Sequence, residues 1–154
     1  MSGENNPNGL TEEKLERCLH QLHERAAGTI GEMLHFEIGE CVSGSGDYTL
    51  YACTEPWMRN AFGTLHGGII GTVLDQGMGM VAACLVDGQA ITPTIQMNVT
   101  FHHFLMAGEQ MCLKIHVEAL TRTMIHLRAE VFAQQNSGRL CASATGIFFI
   151  KGLQ

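Results

Sequence analysis

The chain has 154 residues, of which 45% are hydrophobic and 16% charged, and its net charge is −6. That composition excludes a disordered chain and fits one globular domain able to bury a core without metal or disulfides. The negative balance argues against a nucleic-acid backbone as the main partner.

Residues 1–9 read as a polar tail. Thr11 is a suitable N-cap, with Glu12 and Glu13 in the positive first turn and Leu10 and Leu15 at hydrophobic-staple positions. Leu15, Cys18, Leu19, Leu22 and Ala26 then form a helical stripe that should end near Gly28. This tail and helix, residues 1–30, precede a domain expected over residues 31–154. Leu34, Phe36 and Ile38 alternate with His35 and Glu37, as in a strand. Ser43-Gly44-Ser45-Gly46-Asp47 reads as a turn, and Tyr48 to Cys53 as the hairpin partner. Trp57, in the loop Glu55–Arg59, reads as a packing residue, with a place in a ligand pocket as the alternative.

Residues 60–68, Asn-Ala-Phe-Gly-Thr-Leu-His-Gly-Gly, open the longest apolar segment, Ile69 to Val86. On a helical wheel Ile70, Val73, Leu74, Val81, Cys84 and Leu85 share a core-facing stripe. Asp75 falls on the opposite side among Gly68, Gly71, Thr72, Gly79 and Ala82. Glycine inside a helix costs about 1 kcal/mol relative to alanine, so this face suggests close approach by a partner helix or a ligand. The segment is long enough for a membrane span, but Asp75, Gln76 and its glycines point to a buried helix, and no membrane partner is expected.

Asp87-Gly88-Gln89 is a break. The next four segments alternate with period two: Ile95 to Phe101, Leu113 to Ala119, Ile125 to Val131, and Leu140 to Ile150. Turns are expected at Ala107–Glu109, Thr121–Thr123 and Gln135–Gly138, and Gly146 marks a bend or bulge in the last strand. Hairpin-length turns imply antiparallel strands. The fold class is therefore α+β, an antiparallel curved β-sheet wrapped around one long central α-helix.

The first N–H groups of a helix lack intrahelical partners and favour negative charge. Gly67, just inside the helix start, lets a carbonyl approach its N–H closely, as in an oxyanion hole. Asp75 is a candidate base or nucleophile. At 1.5 Å rise per residue it lies about 12 Å further along the axis, too far to act on the same carbonyl. A second chain packed antiparallel on the small-residue face would bring its own Asp75 to Gly67, so the spacing points to a two-chain active site.

Competing patterns are weaker. Gly77-Met78-Gly79-Met80-Val81-Ala82 matches a dinucleotide-binding pattern but lacks the acidic residue about 20 positions on. His102, His103, His116 and His126 lack a recognised ligand spacing, so no metal and no cofactor is expected. The six cysteines contain no C-x-x-C pair and read as small buried hydrophobes in a reducing compartment. Met1 to Asn6 carries no signal-peptide pattern, so a cytoplasmic location is expected.

The N-x-x-G-x-x-H-G-G motif at Asn60–Gly68, followed by Asp75 and by the strand Thr94–Phe101, resembles the hotdog-fold acyl-CoA thioesterases of the 4-hydroxybenzoyl-CoA thioesterase superfamily. The nearest branch holds the phenylacetate-degradation and superfamily-member-2 enzymes. The resemblance implies a hotdog fold and hydrolysis of an acyl-CoA to free acid and CoA. It implies that the Gly67 N–H polarises the thioester carbonyl and that His66 and Asn60 orient the loop, the carbonyl or the water. Asp75 of the adjacent subunit would be base or nucleophile, and Thr94 would position the water. Gly68, the segment Phe101, His102, His103 and Phe104, and the turn Leu120, Thr121, Arg122 and Thr123 would contact the substrate, Arg122 as a phosphate contact. The usual assembly would be a homodimer with sites at its interface, paired into a dimer of dimers. A hotdog hydratase or dehydratase and a non-catalytic acyl-CoA or acyl-carrier binding protein are the alternatives.

Overall fold

A computed structural model describes residues 10–42, 44–86, 90–134 and 138–152. The expected tail, the break at residues 87–89, Ser43 and the centre of the last expected turn lie outside the described residues.

Helix α1 spans Glu12–Arg25, and its Thr11 hydroxyl accepts from the Lys14 N–H at 3.2 Å. Leu10 and Leu15 are fully buried, as the staple requires. A second helix was not foreseen: α2, Ile30–Met33, is capped by the Thr29 hydroxyl. His35 then takes a left-handed backbone (φ 41) that turns the chain into β1, Phe36–Val42. Leu34 is therefore not part of the strand. Its apparent alternation with Phe36 reflected burial alone.

After β2 (Asp47–Ala52) and a single 3-10 turn comes α3, Gly67–Leu85, the only described helix long and apolar enough to cross a membrane. In this fold it is the core helix. Ile70, Val73, Leu74, Val81, Cys84 and Leu85 are all buried, whereas Asp75 is half-exposed. Ala82 departs from the wheel and is fully buried. Gly77 is also buried, because a β-carbon there would come within 2.8 Å of Leu113.

Beyond a two-residue ladder of β3 (Ala90–Ile91) with β8 (Lys151–Gly152), the strands are β4 (Thr94–Phe101), β5 (Met111–Leu120), β6 (Met124–Ala133) and β7 (Arg139–Phe149). The main sheet runs β1-β2-β5-β6-β7-β4, antiparallel throughout. So β5–β6 and β6–β7 are the expected hairpins, but β4 and β5 are not neighbours. Residues 102–110 carry the chain across the sheet, and β4 closes onto β7. Their turn is held by buried Glu109, whose carboxylate accepts from the Met106 N–H at 2.7 Å.

The inner face is the one read from periodicity: Leu113, Ile115, Val117, Ile125, Leu127, Ala129 and Val131 are buried against α3. Ala119 leaves this face because the β5–β6 register shifts between Val117 and Ala119. Gly146 is not a bulge. It stays in register with Leu127 and Met97, and a β-carbon there would lie 3.1 Å from Met78 of α3 and 2.9 Å from the Phe148 ring. Its small size lets helix and sheet approach.

One cysteine pair corrects the all-thiol expectation. Cys18 of α1 is disulfide-bonded to Cys84 of α3. Cys41, Cys53, Cys112 and Cys141 are free thiols.

Candidate active site

The Asn60 side chain closes the loop before α3. Its carbonyl oxygen accepts from the Phe62 and Thr64 N–H groups at 2.9 and 3.2 Å, and its amide donates to the Thr64 hydroxyl at 2.8 Å. Gly63, at φ 82, supplies the left-handed residue this tight turn needs. Asn60 is thus occupied in shaping the loop. Two further bonds seat it: His66 N–H to Met58 O at 2.8 Å and Leu65 N–H to Leu105 O at 2.7 Å.

His66 is the N-cap of α3, and its Nδ1 accepts from the Gly68 N–H at 2.9 Å. Accepting there requires Nδ1 to carry no proton, so a neutral ring carries its N–H at Nε2. The Gly67 N–H donates to no group among the described residues. It points from the positive end of a 19-residue helix. The Phe101 ring lies over it, 3.4 Å from where a β-carbon of residue 67 would stand. The loop, the helix start and the end of β4 therefore form one cluster: a free N–H beside an aromatic side chain that is more than half exposed.

A second cluster lies about 12 Å further along α3. The Thr94 hydroxyl donates to Asp75 Oδ1 at 2.7 Å, joining the helix to the first residue of β4. One carboxylate oxygen is thereby fixed, which leaves the other for water or substrate. The surrounding groove, about 370 Å³, is also lined by Gln76, Gly79 and Pro93 and by Cys18, Gln21, Leu22 and Arg25 of α1. The α1 residues were not expected at the site. Their stripe announces that α1 packs, but not against what. On the same face of α3, a β-carbon at Gly71 would meet nothing within 4 Å, so that face is open at Gly71, whereas one at Gly79 would touch Phe148 at 3.6 Å.

The expected substrate contacts divide between the two ends of β4. Phe101 pairs with Ala142 and lies beside Gly67, and the His102 and His103 N–H groups both donate to Cys141 O. His102 Nε2 meets the Ser143 hydroxyl at 2.8 Å, and His103 Nδ1 meets Leu140 O at 2.9 Å. Phe104 is exposed, with the Arg139 guanidinium 5.3 Å from its ring. Leu120–Thr123 is at the opposite end, where Thr94 pairs with Phe148 and the Thr123 carbonyl accepts from the Ile150 N–H at 2.8 Å. Arg122 is exposed at that tip. One chain does not bring these segments together.

His116 belongs to neither end; its Nδ1 is 2.6 Å from Asp47, its register partner on β2. Among the described residues no three His, Cys, Asp or Glu side chains gather as a metal site. Trp57, expected to pack, is 45% exposed, with its indole N–H donating to Glu55 at 3.0 Å. Burial pushes the Tyr48 hydroxyl up to about 12 and raises the Cys41 and Cys112 thiols, all on β1, β2 and β5.

The family model described as "Thioesterase superfamily" matches residues 62–139, which run from the Asn60 loop through α3 and β4 to the start of β7. The chain belongs to this superfamily. It is an enzyme of the thioester hydrolase class, and its sheet around one long helix is the hotdog fold. A mutant thioesterase from Pseudomonas aeruginosa superposes with a TM-score of 0.76 at 18% identity, covering 88% of this chain and 94% of that one. A hypothetical thioesterase from Streptococcus pneumoniae, solved with coenzyme A, gives 0.66 at 22% identity over 78% and 88%. A Streptococcus mutans protein bound to acetyl-CoA gives 0.66 at 21% identity over 78% and 91%. At these identities the structures speak for the fold. A comparison with curated proteins gives no match.

Proposed function

We propose that the protein hydrolyses the thioester of an acyl-CoA in a site shared by two subunits. The Gly67 N–H of one subunit polarises the thioester carbonyl, and Asp75 of the partner subunit, held by Thr94, acts as base or nucleophile. The carrying observation is the division of labour along β4: Phe101 covers Gly67 at one end and Thr94 holds Asp75 at the other. β4 is an edge strand whose second side has no strand partner among the described residues. Two such edges paired antiparallel about the Met97–Asn98 midpoint would set Thr94 of each subunit opposite Phe101 of the other. That pairing would continue the sheet and unite the two half-sites twice over.

The same symmetry would place the Leu120–Thr123 turn of one subunit on the side of Phe101–Phe104 of the other. These segments are suited to flank the CoA arm, with Arg122 available to a phosphate. The bound coenzyme A and acetyl-CoA of the two streptococcal proteins support this choice of ligand. In the reaction, carbonyl charge develops against the Gly67 N–H and the helix N-terminus. As base, Asp75 takes a proton from the attacking water and returns it to the departing sulfur, so that CoA leaves as the thiol; as nucleophile it expels CoA as the thiolate and forms a mixed anhydride, which water hydrolyses to the free acid while the carboxylate is regenerated and the thiolate takes up the released proton.

The test is Asp75→Asn, which keeps size and the hydrogen bond from Thr94. Losing a positioned general base costs about 10²- to 10⁴-fold in rate. Thiol release from acyl-CoA should fall by that much, with circular dichroism and elution volume unchanged. Wild-type turnover in this variant would remove Asp75 from the mechanism.

A further inference from the structure

Helix α1 docks through a narrow stripe. Of its 14 residues only Leu15 is fully buried, while Cys18, Leu19 and Leu22 pack against the core and stay partly exposed. A helix of that length is marginal in water by itself, so α1 is helical because it is docked. A covalent tie reinforces the docking: Cys18 is disulfide-bonded to Cys84, the penultimate residue of α3.

That tie stands beside the candidate site. The groove holding Asp75 and Thr94 has α1 as one wall, to which Cys18, Gln21, Leu22 and Arg25 contribute. Asp75 itself is fixed from β4 by the Thr94 hydroxyl. The α1 wall is therefore the part of the groove whose position hangs on a reducible bond.

The two sulfurs differ in access. Cys84 is 3% exposed, whereas Cys18 is half-buried and lines the groove. A thiolate from a dithiol reductant thus meets Cys18 first. It bonds to the Cys18 sulfur and expels Cys84 as a thiolate. The second thiol of the reductant then displaces Cys18 and closes the reductant's own disulfide. Two electrons pass to the protein, and Cys18 and Cys84 each take up one of the reductant's two protons.

We propose that the Cys18–Cys84 bond is a redox switch on thioester hydrolysis. Oxidised, it holds α1 as a wall of the Asp75 groove and the enzyme is active. Reduced, it lets α1 undock and unfold, and turnover falls. The inference rests on the thioesterase reading with Asp75 as the reacting carboxylate. Cys18 and Cys84 are positioning residues that act through α1 and take no part in the chemistry.

The experiment compares the full chain before and after treatment with dithiothreitol and gel filtration. Thiol counts on the denatured chain verify the two forms: four free thiols should become six. Hydrolysis of hexanoyl-CoA and benzoyl-CoA is followed by loss of thioester absorbance, which does not register thiols. A 1 Å misplacement far from the chemistry can cost about 100-fold, so reduction should lower kcat/KM about tenfold or more. Reoxidation with glutathione disulfide should restore it. Cys18→Ser, at a half-buried position, should show the reduced rate with or without dithiothreitol. Trypsin reads α1 directly: cutting at Lys14, Arg17 and Arg25 needs the helix to open, so it should quicken on reduction. Equal or faster hydrolysis after reduction, or α1 cut equally fast in both forms, would overturn the switch. So would a Cys18→Ser variant that still responds to dithiothreitol. Asp75→Asn run alongside separates the two readings. If it is inactive while the wild type ignores reduction, only the switch fails; if it retains wild-type rates, the reading of the site fails and the switch with it.

Discussion

Thr94 decides what kind of carboxylate Asp75 is. Without the 2.7 Å bond, Asp75 would be a half-exposed helix side chain free to rotate. With it, the carboxylate is held against the start of β4, and one oxygen is presented in a fixed direction. A hydrogen bond to a charged group is worth about 1.5–3 kcal/mol, or roughly ten- to a hundredfold in rate if the orientation matters only in the transition state. Thr94→Val, which keeps shape and removes the donor, should lower kcat by that factor with KM little changed, whereas Thr94→Ser should restore most of it. A Thr94→Val enzyme that changes KM alone would show that Thr94 binds substrate and does not hold Asp75. At this scale the motif was legible because its chemistry is local: Asn60 builds its own turn, and His66 caps its own helix. Leu22 and Arg25 were not, because nothing in α1 states which face of α3 it will meet.

Among the elements, α1 adds no strand to the sheet yet borders the groove that holds Asp75. Its attachment rests on Leu15, on Leu19 and Leu22 packed against the core, and on the bond between Cys18 and Cys84, which are 66 residues apart in sequence. Closing a loop of that length restricts the unfolded chain by about 4 kcal/mol in the chain-entropy account. For a domain of this size, about 2–4 °C of melting temperature goes with each kcal/mol, so reduction should lower Tm by roughly 10 °C. Cys84→Ser should melt where the reduced wild type does. A Tm insensitive to both would mean that α1 is held by packing alone. The pairing was invisible in the sequence for the reason that makes it effective: two cysteines far apart, with no motif, joined only by tertiary folding. The same limit hid the strand order. Period two placed β5 and β6 and their buried faces, because alternation is a property of each segment. Which edge β4 joins depends on how the connection at residues 102–110 crosses the sheet, and Gly146 fits Met78 only once α3 lies there.

For the whole molecule, the question is whether one chain or two make a working site. Ile95 and Phe101 are each about half exposed on β4, an unprotected edge that a symmetric partner would cover. Gly67 offers a clean way to disable one half-site. It is the first residue of α3, where proline is well tolerated because the N–H has no helical partner. His66 before it is already extended, at φ −65 and ψ 130, as a residue preceding proline must be. Gly67→Pro should therefore fold, lose the carbonyl donor and lose activity, while Asp75→Asn loses the other half. Each variant alone is inactive on either view. Mixed in equal amounts and allowed to exchange subunits, they distinguish the views. With a site in each chain, every site in the mixture lacks one essential group and no activity returns. With a site built from two chains, each mixed dimer holds one intact site, Gly67 from the Asp75→Asn chain and Asp75 from the Gly67→Pro chain. Random pairing makes half the dimers mixed with one of two sites restored, so about a quarter of wild-type activity should reappear. Its growth should follow subunit exchange measured separately, and its absence after complete exchange would return the site to a single chain.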